Sequence, residues 1–148
     1  MTGETLMHLR LPICALIGSA ILAATPAMAE PPSVHVSLWD KDGKMGITLS
    51  QDKVKAGPVE FEVKNASPSL MHEFLIVPWR GAVTGLPYDA KQSQVDEDKL
   101  PHMQGIEDMK PGLAATVRLV LAPGSYVVFC NQPGHYKMGM ERSFVVTR

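Results

Sequence analysis

Polar and apolar side chains alternate in short segments from Ser33 onward, and a period of two predicts β-strands with one buried face. In VEFEVKN (59–65) the apolar side chains are Val59, Phe61 and Val63, and charged side chains occupy the positions between them. A helical period is nearly absent. The segments with strand character are SVHVSLW (33–39), MGITLS (45–50), PVEFEVKN (58–65), HEFLIVP (72–78), AATVRLVL (114–121), GSYVVFCN (124–131) and RSFVVTR (142–148).

Turn-forming residues separate these segments, as in Lys110-Pro111-Gly112 and Ala122-Pro123-Gly124. About seven to eight short strands of this kind predict an all-β fold, a Greek-key β-sandwich with mainly antiparallel pairs. Residues 79–110 are the exception, because they contain several glycines and prolines and lack strand alternation. They predict a long loop or short helix insertion, with a turn of helix near 96–100.

The N-terminal residues have a different character from the rest of the chain. Arg10 precedes the apolar run LPICALIGSAILAA, and the small-x-small tripeptide Ala27-Met28-Ala29 follows it. This order predicts a signal peptide over residues 1–29, cleaved after Ala29, which leaves a domain of residues 30–148. The apolar run is shorter than the roughly 20 residues of a membrane-spanning helix. We therefore expect an exported, periplasmic protein with no membrane span in the mature chain.

The length and composition of the chain indicate one domain with one functional site. The chain has 148 residues and a formal net charge of −1 at pH 7, which indicates a single core and no attraction to nucleic acid. Removal of the signal peptide takes away Cys14 and leaves Cys130 as the one cysteine. In a compartment where disulfides form, a lone thiol is either a buried, inert hydrophobe or a thiolate bound to a metal.

The segment CNQPGHYKMGM (130–140) joins the last two predicted strands and concentrates metal-binding residue types. Its proline and two glycines let the backbone fold tightly. Such a loop can direct Cys130, His135 and Met140, spaced five residues apart, toward one point at the end of the sandwich. A further ligand must come from elsewhere, and His72, at the start of the strand HEFLIVP, is the best candidate.

The chemistry of this ligand set favours copper. Soft sulfur stabilises Cu(I), imidazole also binds Cu(II), and two imidazoles with a thiolate and a more distant thioether serve both oxidation states. Zinc prefers four firm tetrahedral ligands, and a thioether is a poor fourth ligand. One copper ion is therefore the predicted cofactor. His102, Met103 and Met109 lie within residues 79–110 without the tight spacing of a second metal site.

The segments NASPSLMHE (65–73) and CNQPGHYKMGM together resemble the cupredoxins, the family of type 1 blue copper proteins. The resemblance spans nearly the whole mature chain, and the spacing within the second segment is similar to that of rusticyanin, auracyanin and sulfocyanin. It implies a cupredoxin-like sandwich. The metal ligands that it implies are His72, Cys130, His135 and Met140, with Met138 as the alternative axial ligand.

The resemblance also implies supporting residues and a function. Glu73 and Asn131, each directly after a ligand, occupy positions where the family links the two ligand segments by hydrogen bonds. The implied function is that of an electron carrier, not an enzyme, which exchanges one electron through Cu(I)/Cu(II) at the surface edge of His135. A monomer that docks transiently with a c-type cytochrome, a terminal oxidase or a nitrite reductase would fit this function. The alternative is periplasmic copper buffering, delivery or resistance, which the methionines of residues 79–110 favour.

Overall fold

The computed structural model describes residues 30–148, so the predicted signal peptide and its cleavage site lie outside the described residues. Within this range, we find no helix with the length and hydropathy needed to cross a membrane. The strands are β1 (Ser33–Lys41), β2 (Lys44–Leu49), β3 (Lys53–Lys55), β4 (Gly57–Asn65), β5 (His72–Pro78), β6 (Tyr88–Asp89), β7 (Gln94–Val95), β8 (Gln104–Met109), β9 (Ala114–Leu121), β10 (Gly124–Phe129) and β11 (Glu141–Thr147).

Two sheets form the body of the domain. The first has the strand order β2-β1-β4-β9, and the second has the order β3-β11-β10-β5-β8. β1 pairs with β4 and β3 pairs with β11 in parallel, whereas the other pairs in these sheets are antiparallel. The predicted all-β sandwich is confirmed.

The main core lies between the two sheets and contains the apolar side chains that the alternation predicted. Phe61 of β4 is fully buried, and its ring centroid lies 5.0 Å from that of Phe74 and 5.6 Å from that of Phe144. Phe74 and Phe144 belong to the second sheet, so the three rings connect the two layers. Burying one such side chain contributes about 1.5–3 kcal/mol. This core fixes the positions of the strand ends at which the candidate ligands lie.

Residues 79–110, called the insertion below, contain more structure than the predicted loop. They form 3₁₀ turns at Val83–Gly85 and Glu97–Lys99, the second of which falls within the predicted turn at 96–100. They also form the β6/β7 hairpin and the edge strand β8. β8 escaped prediction because its pairing with β5 shifts register at a bulge, which breaks the period of two.

The insertion covers the outer face of the second sheet. Apolar side chains of β5 and β10 that point away from the main core pack there with side chains of the insertion, which explains why six consecutive residues of β5 are buried. This second cluster consists of Leu75, Val77, Leu86, Val95, Leu100, Val127, Phe129 and Tyr136. β5 begins at His72, so burial of both faces of this strand restrains the position of His72.

Gly105 allows β8 to approach β5 closely. Its φ of +152° lies in a region that side-chain-bearing residues rarely adopt, and a Cβ at this position would overlap the carbonyl oxygen of Phe74. The same Cβ would lie 2.9 Å from Cα of Leu75, so the obstacle is backbone and has no room to move aside. The pairing of β8 with the strand that carries His72 therefore depends on a glycine here.

Candidate metal centre

Three of the predicted ligand residues meet in space. The Nδ1 atoms of His72 and His135 lie 3.1 Å apart, and Sγ of Cys130 lies 3.9 Å from the first and 3.5 Å from the second. Among the described residues, this is the one group of three or more His, Cys, Asp or Glu side chains whose ligand atoms all lie close together, within 4.8 Å. The arrangement is a triangle of two imidazole nitrogens and one sulfur.

The spacing of these atoms fits a small metal ion. Bonds of about 2.0 Å to nitrogen and about 2.3 Å to sulfur in a trigonal plane separate the two nitrogens by about 3.5 Å and each nitrogen from sulfur by about 3.7 Å. The observed separations of 3.1, 3.9 and 3.5 Å lie near these values. Two histidines and one cysteine in a trigonal set suit copper.

His72 opens β5, is fully buried and is held from its far side by Asp40 of β1. Its Nε2 lies 3.4 Å from Oδ1 of Asp40. A carboxylate that accepts the Nε2 proton fixes the tautomer and leaves the Nδ1 lone pair for a metal. Burial lowers the pKa of His72, although the neighbouring carboxylate opposes this, so the ring is neutral at neutral pH. Asp40 is not distinguishable by sequence pattern from Asp42 nearby, so it was not singled out as a site residue.

Cys130 follows β10, and its thiol is shielded from solvent. The backbone N–H of Glu73 donates a hydrogen bond to Sγ at a distance of 3.2 Å. Burial raises the pKa of the Cys130 thiol to about 12, so the thiol is protonated at neutral pH unless a metal ion displaces the proton. Its place beside two imidazole nitrogens favours the metal-ligand interpretation of the lone cysteine over the inert one.

Residues 130–140 form one turn, called the ligand loop below. The N–H of Cys130 donates to the carbonyl of Met140 at 3.1 Å, and the N–H of Met140 donates to the carbonyl of His135 at 3.1 Å. Gly134 and Gly139 adopt positive φ values of 83° and 103°, which lets the loop fold back on itself. His135 is only partly buried, in contrast to His72, so one imidazole of the site reaches the surface.

The two methionines of the ligand loop have different surroundings. Met140 is fully buried and belongs to the same core cluster as Cys130, whereas the side chain of Met138 is 53% exposed. The backbone of Met140 contacts both Cys130 and His135 through the hydrogen bonds described above. These surroundings favour Met140 over Met138 as a fourth, axial ligand.

Glu73 connects the two chain segments that carry the ligands. Its Oε2 accepts a hydrogen bond from the backbone N–H of Asn131 at 3.1 Å, and its Oε1 accepts one from Nε2 of Gln132 at 2.7 Å. Burial raises the pKa of Glu73, and these two donors act in the opposite direction. The amide side chain of Asn131 points elsewhere, toward Val95 of the insertion, whose N–H it accepts at 2.6 Å.

Asn65 supports the approach to His72. Its Nδ2 donates to the carbonyls of Leu70 at 2.9 Å and Met109 at 2.7 Å, and its Oδ1 accepts the N–H of Ser67 at 3.0 Å. Asn65 is fully buried, so these bonds satisfy an amide that has no access to water. They fix the loop between β4 and β5 directly before the first histidine.

The soft side chains of the insertion do not meet. Met109 lies in the main core, Met103 packs against the second cluster and His102 is exposed. The structure therefore places these three residues in three different environments, and they do not form a second metal centre.

Comparisons with known proteins support the fold. No protein-family model and no curated protein matches the chain. Among solved structures, reduced auracyanin from Roseiflexus castenholzii superposes with a TM-score of 0.55 at 20% identity, over 82% of this chain and 100% of that one. Rusticyanin from Thiobacillus ferrooxidans gives a TM-score of 0.54 at 19% identity, over 80% of this chain and 79% of that one.

At these identities the likeness concerns the fold, and the fold is that of the cupredoxins. The resemblance stated from the sequence is thereby confirmed at the level of architecture. Within that fold, the group of His72, Cys130 and His135, with Met140 next to it in the chain and in the core, is suited to a blue copper site.

Proposed function

We propose that the protein is a type 1 blue copper electron carrier with His72, Cys130, His135 and Met140 as ligands. The observation that carries the proposal is the triangle of two Nδ1 atoms and one Sγ atom, with separations of 3.1, 3.5 and 3.9 Å. Copper bound there would supply a one-electron change between Cu(I) and Cu(II).

Contacts within the chain restrain two of these ligands. Asp40 orients His72 and the Glu73 N–H restrains the sulfur of Cys130, so each of these two ligands would have a second contact besides the metal. Such outer contacts hold ligands in place and tune the metal. A site that rearranges little between oxidation states exchanges electrons quickly, which is the property a carrier needs.

Electrons would enter and leave at His135, the ligand whose ring reaches the surface. Apolar side chains in the adjoining loops are exposed, with Leu70 37%, Met71 39% and Met138 53% accessible. Leu70 and Met71 directly precede His72, and Met138 lies three residues after His135. An apolar surface of this kind suits small, transient contacts between redox proteins.

The partners and the location belong to the same proposal. A c-type cytochrome, a terminal oxidase or a nitrite reductase would dock near His135, and the carrier would act as a periplasmic monomer of residues 30–148 after cleavage behind Ala29. The sequence of the N-terminal segment supports export.

A carrier is favoured over copper handling and over catalysis. The methionines that favoured copper buffering or delivery lie in separate environments, as described above. Copper oxidases and nitrite reductases use further copper sites, whereas among the described residues one group of His and Cys side chains brings its ligand atoms within 4.8 Å of one another. The proposed function requires no substrate pocket.

Spectra of the copper-loaded protein test the proposal. We expect an intense thiolate-to-copper absorption band, the paramagnetic resonance spectrum of a type 1 site, and reversible one-electron voltammetry with fast exchange. A colourless Cu(II) complex would contradict the proposal. Tight Cu(I) binding with transfer to an acceptor and slow redox cycling would show copper handling instead.

Paired substitutions distinguish the two methionines. We expect Met140→Leu to raise the reduction potential by roughly 60 mV or more, a tenfold change in the one-electron equilibrium, because the axial thioether tunes the potential. Met138→Leu makes the same chemical change in an exposed position and leaves the potential unchanged. Voltammetry of both variants measures the difference, and a shift confined to Met138→Leu would reverse the assignment.

Asp40→Asn tests the contact behind His72. We expect about a tenfold loss of Cu(II) affinity and a higher reduction potential, because a neutral amide makes the imidazole a weaker donor to Cu(II). Asp42→Asn removes the same charge from the exposed turn after β1 and serves as the matched control. Copper titration with a competing chelator measures both variants. Equal affinities would show that Asp40 does not support the ligand.

A further inference from the structure

Tyr136 joins the ligand loop to the first part of the insertion. Its hydroxyl donates a hydrogen bond to the carbonyl of Val83 at 2.6 Å and accepts one from the N–H of Leu86 at 3.0 Å. Tyr136 is 3% exposed and directly follows His135. The hydroxyl of this buried side chain, next to a proposed ligand, thus forms hydrogen bonds with two backbone groups of the insertion.

The β6/β7 hairpin of the insertion makes a second set of contacts, to Asn131. The amide oxygen of Asn131 accepts from the N–H of Val95 at 2.6 Å, and its Nδ2 donates to the carbonyl of Val95 at 3.0 Å and to Oε1 of Glu97 at 2.6 Å. Nε2 of Gln94 donates to the backbone carbonyl of Asn131 at 2.8 Å. The side-chain amide of Asn131 therefore bonds both backbone groups of Val95, as the peptide group of a neighbouring strand would.

A third contact lies between these two. The N–H of Gly134 donates to the carbonyl of Ser93 at 2.7 Å, and Ser93 adopts a φ of 59°, which few residues other than glycine adopt. The backbone of the insertion is thus shaped to present this carbonyl to the ligand loop. The contacts at positions 131, 134 and 136 bracket His135 and flank Cys130.

Packing reinforces the hydrogen bonds. The ring centroid of Tyr136 lies 6.1 Å from that of Phe129, edge to face, and 6.1 Å from that of Tyr88, stacked. Phe129 and Tyr136 belong to the second cluster, which the insertion shares with β5 and β10. Moving the ligand loop would therefore expose apolar rings and leave buried donors without acceptors, both of which are unfavourable.

We propose that the insertion is a positioning element that keeps the ligand loop in one conformation through Tyr136 and Asn131. The role of this restraint rests on the proposed function, because an electron carrier needs a loop that gives Cys130 and His135 the same geometry in both oxidation states. The restraint itself is a property of the metal-free chain and is measurable without copper.

The test compares two Tyr→Phe variants of the proposed mature protein, residues 30–148. Tyr136→Phe removes the hydroxyl that contacts the insertion. Tyr126→Phe removes a buried hydroxyl that donates to the carbonyl of Ala122 at 2.8 Å, at the end of β10 remote from Cys130. Both variants lose a buried tyrosine hydroxyl, so the pair separates a general loss of stability from a local one.

Amide hydrogen exchange in the metal-free protein is the first measurement. We expect Tyr136→Phe to accelerate exchange at Gly134 and Met140 by about tenfold relative to Tyr126→Phe, because the loop can then open without global unfolding. The second measurement is electron self-exchange of the copper-loaded protein, which we expect to slow by about tenfold in Tyr136→Phe only.

A milder pair covers the case in which Tyr136→Phe fails to fold. Glu97→Ala removes the exposed acceptor of Nδ2 of Asn131, and Asp98→Ala removes an equal charge from the next, also exposed, residue of the same 3₁₀ turn. We expect faster amide exchange in the ligand loop for Glu97→Ala than for Asp98→Ala.

The outcomes separate the two proposals. Equal exchange in the ligand loop for both members of each pair would overturn the positioning role, whether or not copper binds. Faster exchange at the loop in a protein without the intense copper band would keep the positioning role and refute the electron carrier. Faster loop exchange together with slower self-exchange would support both.

Discussion

The Cys130→Ser variant is expected to lose the thiolate-to-copper absorption band completely. The band requires a sulfur-to-copper bond, and a serine hydroxyl is neither soft nor ionised at neutral pH. Serine is close to cysteine in size and accepts the hydrogen bond from the N–H of Glu73, so the fold should persist. Absorption and paramagnetic resonance spectra after copper loading give the result.

Two controls belong to this experiment. Met138→Leu changes an exposed residue of the same loop and keeps the band. Circular dichroism of the metal-free Cys130→Ser protein shows whether the sandwich is intact. Survival of the band in a folded Cys130→Ser protein would refute both the thiolate ligand and the electron-carrier proposal.

Gly105→Ala is expected to lower the free energy of unfolding by about 3 kcal/mol or more. The new Cβ would overlap the carbonyl of Phe74, and alanine is strained at a φ of +152°. Relief requires β8 to separate from β5, which begins at His72. We therefore expect weaker copper binding as well. Urea denaturation of the metal-free variant measures the first effect.

Gly112→Ala is the matched control for this substitution. Gly112 also has a positive φ, +75°, but a Cβ there would have no atom within 4 Å. The substitution should cost about 1–2 kcal/mol, the usual penalty for a side chain in the left-handed region. The additional loss in Gly105→Ala reflects the overlap with β5 together with the strain of alanine at a φ of +152°. Equal losses would mean that the strands can separate freely at Gly105.

The sequence predicted the longer strands well where one face is buried and the other is in water, whereas it missed the three-residue strand β3, which has the same pattern. β9 keeps its predicted bounds of 114–121, and its burial alternates along most of its length. β5 also keeps its bounds of 72–78, although its residues are buried on both faces. β8 was missed because Gly105 and the bulge remove the local alternation. Its existence depends on pairing with β5, a partner that a local pattern does not reveal.

Some residues of the candidate site were predictable from the sequence, and others were not. Cys130 and His135 were selected because they lie close together in one loop between strands, and His72 because it opens the strand HEFLIVP; the structure brings their ligand atoms together. Asp40 was not selected, because its role depends on which strand lies beside His72. Asn131 was selected as a partner of Glu73, and its backbone N–H donates to that carboxylate, whereas its side chain contacts Val95, since the fold of the insertion decides which groups are within reach.

The three contacts between the insertion and the ligand loop limit which other loops this sandwich can accept. A loop of different length would move positions 134 and 136 away from Ser93 and Val83, which they meet at 2.7 and 2.6 Å. Grafting the corresponding loop of a copper protein onto this sandwich would then leave the insertion without its anchor points. The insertion and the ligand loop, some twenty residues apart in the chain at their nearest, therefore form one structural unit. We expect that a functional graft must exchange both segments together.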